Sequence, residues 1–135
     1  MSEENILHIM IFAAAADEDI KDVEVMKIMS VTNTHPQFRN HNQKSIIEQT
    51  RTCLDMLDKC GSVEACAQEV ATRMNEGEKI MAYSLAWEIC AADYVIHKSE
   101  KIFLDHLKTT CNVSEQIAEA VRVSICARCP NLPGV

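Results

Sequence analysis

Ala15-Ala16-Asp17-Glu18-Asp19-Ile20-Lys21-Asp22-Val23-Glu24 returns 76 residues later as Ala91-Ala92-Asp93-Tyr94-Val95-Ile96-His97-Lys98-Ser99-Glu100. Five of the ten positions are identical, and they share one logic. Small residues close a helix, an acid follows, an apolar Ile anchors the turn, and a Glu falls in the first turn of the next helix. A pattern repeated at such a separation marks two copies of one structural unit. The expected fold is therefore a pair of helix-loop-helix units sharing one core.

Each copy follows a strongly apolar segment. Residues 3–16 carry Ile6, Leu7, Ile9, Met10, Ile11 and Phe12, apolar on nearly all sides, and a helix of that kind must be central. Residues 78–92, with Ile80, Met81, Tyr83, Leu85, Trp87, Ile89 and Cys90, match it from a second unit that begins near Gly77. The chain contains only three Gly and three Pro, few alternating β-branched runs and long stretches of good helix formers, so the whole reads as helical. Ser2 is placed to cap the first helix. After the acidic loop, residues 22–31 make a second helix with acids in its first turn. Residues 32–42 are polar and broken by Pro36, a loop with one short turn around Phe38.

Asn42 caps a third helix with the stripe Ile46, Ile47, Thr50, Cys53, Leu54 and Leu57, and Cys60-Gly61 ends it. Ser62 caps a fourth, with Val63, Cys66, Ala67, Val70 and Met74 on one face. Residues 98–110 form a sixth that buries Ile102, Phe103 and Leu107, and Ser114 caps a seventh presenting Ile117, Ala118, Val121 and Ile125. Met26, Phe103 and Trp87 sit at helical spacing and read as core. The expectation is an all-α single compact domain of about seven helices spanning residues 1–129, built from two pseudo-repeated units, with a non-helical tail at residues 130–135.

A chain of 135 residues with 47% apolar content can bury a core without staples. Thirteen Lys and Arg against twenty Asp and Glu give a net charge of -7, the wrong sign for nucleic acid, whose binding depends on cationic neutralisation of phosphates. An anionic membrane surface would repel it equally, and no apolar run approaches the ~20 residues of a bilayer span. The acids before Ile6 do not suit a secretory signal, so the chain reads as cytoplasmic. Seven unevenly spaced cysteines then read as reduced thiols, most of them small core residues. For the same reason the triplet Asn112-Val113-Ser114 is not read as a glycosylation acceptor.

Asp-x-x-Ile-x-x-x-Glu at a helix-loop-helix junction can turn two carboxylates toward one loop, and carboxylate and backbone oxygens are what a hard divalent cation takes. The first copy is richer, with Glu18, Asp19 and Asp22 added. The spacing is not that of an EF-hand, since the fifth position from Asp17 is Lys21 and the Glu arrives at the eighth. A plainer account competes: Glu24 and Glu100 cap backbone N–H groups of the first helical turn while Asp17 and Asp93 accept from the loop, with no ligand at all.

The doubled Ala-Ala-Asp-x-x-Ile-x-x-x-Glu, each copy between an apolar and an amphipathic helix, resembles the tellurite-resistance TerB-like family, and with it a domain of the co-chaperone DjlA. The resemblance runs over nearly the whole chain, about residues 3–126. It departs from the family's usual Ala-Asp-Gly at each junction, having Glu18 and Tyr94 at the Gly positions. The resemblance implies a fold of about seven helices in which acidic residues of both units come close together as candidate ligands of a divalent metal: Asp17, Glu24, Asp93 and Glu100, with Asp19 beside them. It further implies Ca²⁺, Mg²⁺ or Mn²⁺ ahead of zinc, a role in tellurite and chemical-stress resistance, and action through protein partners.

Cys126-Ala-Arg-Cys129 is a rival site for zinc or thiol chemistry. It stands at a helix C-terminus, where the dipole disfavours thiolate and Arg128 offsets this only in part. A zinc there would need Cys111 and His106 as further ligands. His8, His35, His41, His97 and His106 are scattered, and no G-x-S-x-G, phosphate loop or dinucleotide fingerprint occurs, so the chain does not read as an enzyme. A metal-free interaction domain and a cysteine-based sensor stand as the alternatives to a cation-binding module.

Overall fold

The computed structural model describes residues 2–16, 22–38, 42–91 and 96–128, and their regular structure is helical throughout. The order is α1 Ser2–Ala14, α2 Asp22–Asn33, a short 3₁₀ turn Pro36–Phe38, α3 Gln43–Cys60, α4 Val63–Ala71, α5 Glu76–Ala91, α6 Lys98–Thr110 and α7 Glu115–Arg128. The 3₁₀ turn sits where Pro36 interrupts the polar loop, and it delivers Phe38 to the core at 1% exposure.

The two apolar helices are the centre of the fold. From Ile6 to Ala16 every residue is buried, because α2, α3, α4, α5 and α6 all pack on α1. Its closest neighbour is α5, which in turn carries α2, α6 and α7 on its other sides. Burying each large side chain, Leu7, Phe12 and Ile89 among them, stabilises by roughly 1.5–3 kcal/mol, which is why two helices apolar all round are found inside and not at the rim. His8 is carried in with α1, and its Nε2 donates to Gln49 Oε1 of α3 at 2.7 Å.

The helix ends follow the sequence signals closely. Asn42 Oδ1 accepts from the Ser45 N–H at 2.9 Å, and Ser62 Oγ accepts from Ala65 N–H at 3.1 Å. Ser114 Oγ accepts from Ile117 N–H at 3.2 Å. Gly61 closes α3 in the left-handed region at φ +89°, its N–H bonded to Leu57 O. Asn112 plays that part after α6 at φ +52°, with Val113 N–H returning to Lys108 O. The proposed Ser2 cap, the acidic loop 17–21 and the tail 130–135 lie outside the described residues or side chains.

Three expectations change. Helix α5 begins at Glu76 and not at 78, because Asn75 and Glu78 cap each other: Glu78 N–H donates to Asn75 Oδ1 and Asn75 N–H to Glu78 Oε1. Gly77 is thus inside the helix. Met26, read as core, is 68% exposed, and Ile102 is 52% exposed. Helix α6 turns Glu100, Phe103, Leu104 and Leu107 inward, and Ile102, about 100° away from Phe103, falls outside that face. The apolar stripe of α3 is wider than the surface that covers it, so Ile46, Thr50 and Cys53 are buried while Ile47 and Leu54 reach solvent.

Candidate functional site

Both acidic stretches leave from neighbouring helix ends. Ala13, in the last turn of α1, offers its carbonyl to the thiol of Cys90, in the last turn of α5, at 4.0 Å. Pseudo-equivalent helices therefore meet near their C-termini, and the two junctions start from one end of the α1–α5 pair. Ala15 and Ala16, which follow α1, line a cleft of about 460 Å³ together with Ser99 and Ile102 of α6 and with Leu57, Gly61 and Val63 of the α3–α4 corner.

The second junction is the better described. Ile96 is buried at 7% exposure, the anchor its position in the repeat requires. His97 holds extended backbone at φ -74°, ψ 158°, and its N–H donates to Glu100 Oε1 at 2.9 Å. Glu100 is only 4% exposed, so this is a buried carboxylate closing the first turn of α6. Asp93 lies outside the described residues. At the first junction Asp17 and Asp19 lie outside them as well; Glu24 is placed on α2, its third residue, with its side chain outside those described. Of the five candidate ligands, Glu100 is the one whose side chain is described, and it is engaged as a cap. Among the described residues no three His, Cys, Asp or Glu side chains gather as a metal-holding group.

A protein-family model described as "Tellurite resistance protein TerB" matches residues 3–123, nearly the whole chain and both copies of the repeat. The chain belongs to the TerB family. Its all-helical single domain is the fold expected of a TerB member. The positions at which it departs from the family's glycines, Glu18 and Tyr94, lie outside the described residues. No curated protein and no solved structure gives a significant match.

The thiols are arranged differently from what their spacing suggested. Cys126 is half-buried on α7, Cys129 lies outside the described residues, and Arg128 is turned to Glu88 of α5 at 3.6 Å. His106, the other suggested zinc partner, has a buried Nε2 without a hydrogen-bond partner. The thiols that influence one another are Cys53 with Cys66 and Cys66 with Cys60. Burial is the main cause that raises the Cys53 thiol, with the Cys66 thiol adding to it. Burial likewise pushes Cys66 up to about 12, with the Cys60 thiol adding to it. No motif marks this group. The available signal was the seven-residue step from Cys53 to Cys60, which returns to the same helix face, followed by the two-residue corner Gly61-Ser62.

Proposed function

We propose that this TerB member is a non-enzymatic cytoplasmic module of the tellurite- and chemical-stress-resistance type, which holds a divalent cation at its acidic junctions and acts through protein partners. The observation supporting this reading is the convergence of the two junctions on one cleft: Ala15 and Ala16 of the first copy share it with Ser99, the neighbour of buried Glu100, in the second. Two acidic stretches leaving from adjacent helix ends repel one another, and a cation between them offsets that repulsion and rigidifies both loops. Oxygen-rich ligands favour Ca²⁺, Mg²⁺ or Mn²⁺ over zinc. The exposed Leu54 and Ile102 at the cleft give a partner an apolar foothold beside the junctions.

A second reading, a metal-free interaction domain, draws on the cap that Glu100 makes to His97 N–H. Thermal unfolding of chelator-treated protein, with and without millimolar Ca²⁺, Mg²⁺, Mn²⁺ or Zn²⁺, separates the two. A cation at ~100 times its dissociation constant adds about 2.7 kcal/mol, a shift of several degrees. That shift should vanish in Asp17→Ala/Glu24→Ala. An unfolding midpoint indifferent to every cation would leave the metal-free domain.

A further inference from the structure

Helices α3 and α6 both pack on α1 and α4 but hardly touch each other. The cleft of about 460 Å³ is the trough this leaves, with the end of α1 and the start of α4 reaching it from the shared core. Leu54, Leu57 and Gly61 lie one turn apart along the α3 wall, and Ser99 and Ile102 one turn apart along the α6 wall. Leu54 and Ile102 are exposed although both are large and apolar. Gly61 adds no side chain, and nothing lies within 4 Å of the point where a Cβ would stand. The trough is therefore open, apolar on both walls and bounded by helices. Its charge is one-sided. Glu64 supplies the charge among the described lining residues, and within two positions of the lining the sequence has Asp17, Glu18, Asp55, Asp58, Glu64 and Glu100 against Lys59, Lys98 and Lys101. Of these cations Lys101 is engaged elsewhere, 3.8 Å from Asp105 and 5.6 Å from the centroid of the Trp87 ring.

We propose that the trough between α3 and α6 docks a basic amphipathic helix of a partner protein, with apolar side chains at i, i+3 or i+4 and i+7 seated between Leu54 and Ile102 and with Lys or Arg along its flanks. This rests on the reading of the chain as a module that acts through protein partners, and it names the chemistry of the partner. A helix suits the trough because it satisfies its own backbone groups. The walls are helices whose N–H and C=O groups are already bonded, so an extended segment would find no sheet edge to pair with. Basic flanks suit it because the acids outnumber the cations around the lining, and the field of a chain at -7 steers a cationic partner in. A second copy of the chain carries the same -7 and is repelled by it.

The test uses three fluorescein-labelled synthetic helices, read by anisotropy against the full chain in chelator-containing buffer. The first has Leu at i, i+3, i+4 and i+7 with Lys elsewhere, the second replaces each Lys by Glu, and the third replaces each Leu by Ser. The Leu/Lys helix should bind, more weakly as salt is added, and the other two should not. Leu54→Ser/Ile102→Ser should weaken that binding about tenfold or more, since two apolar contacts are lost. Both positions are exposed, so the double variant should still unfold cooperatively near the parent's midpoint. Val123→Ser, at an exposed apolar position of α7 outside the trough, should leave binding unchanged. Equal binding of the Leu/Lys helix to the double variant, equal binding of the Ser/Lys helix, or binding of none of the three would overturn the proposal. So would a dimer of the chain that Leu54→Ser/Ile102→Ser converts to monomer, because the trough would then belong to a second copy. The cation is read separately, by its shift of the unfolding midpoint. Loss of helix binding with that shift intact removes the docking site alone, and loss of the shift with binding intact removes the cation alone.

Discussion

The thiol of Cys90 lies 4.0 Å from the carbonyl oxygen of Ala13, tying the last turn of α5 to the last turn of α1. Both residues are 0% exposed. The fit depends on a side chain of this size at the point where the two central helices meet. Cys90→Leu adds bulk where there is no room and should cost about 1–3 kcal/mol, read as a lower urea midpoint with an unchanged slope. A neutral result would mean the helices can separate there without loss.

Glu100 predicts a graded response. Glu100→Ala removes the acceptor of the His97 N–H and should destabilise the fold by about 1–2 kcal/mol. Glu100→Gln keeps an oxygen acceptor and should lose less in metal-free buffer. If both variants fall equally, the carboxylate's charge, and not the cap alone, matters at the second junction.

Ile102 and Phe103 are adjacent and equally apolar, yet the fold separates them. Phe103, at 0% exposure, should cost about 3–5 kcal/mol on Phe103→Ala. Ile102→Ser, at a position 52% exposed, should change stability by no more than about 0.5 kcal/mol. Thermal melts of the two variants check this, and comparable losses would contradict the placement of Ile102 at the cleft.

The buried thiols make stability sensitive to alkaline pH. Burial raises Cys53, Cys66 and Cys111, Cys66 to about 12 and Cys111 to about 11, while nearby Lys79 pulls Cys111 down in part. A group whose folded value is raised contributes fully below its unfolded value, near 8.5 for a thiol, and loses that contribution as pH climbs toward the folded value. Stability should therefore be flat with respect to these groups below roughly pH 8 and fall between roughly pH 9 and pH 11, by on the order of 1.4 kcal/mol per pH unit for each thiol. Urea midpoints at several pH values read the slope, and Cys111→Ala should make it shallower. An unchanged slope in that variant would remove Cys111 from the account.

Local chemistry was legible in the sequence wherever the cause lay within a few residues. Asn42, Ser62 and Ser114 as caps, Gly61 as the end of α3, the break at Pro36 and the central place of α1 and α5 all follow from side-chain oxygens, backbone freedom and apolar content. The repeat at residues 15–24 and 91–100 was likewise enough to identify two related units and the family to which they belong. Which apolar residues stay outside was not legible. Ile102, Leu54 and Met26 have the composition of core residues, and only the limited area that neighbouring helices can cover leaves them in solvent. The same holds for the site. Spacing placed an acid at each junction, but the meeting of Ala13 with Cys90 and the burial of Glu100, Cys53 and Cys66 arise from packing between helices distant in sequence or set across a corner, and those contacts exist only once the chain has closed on itself.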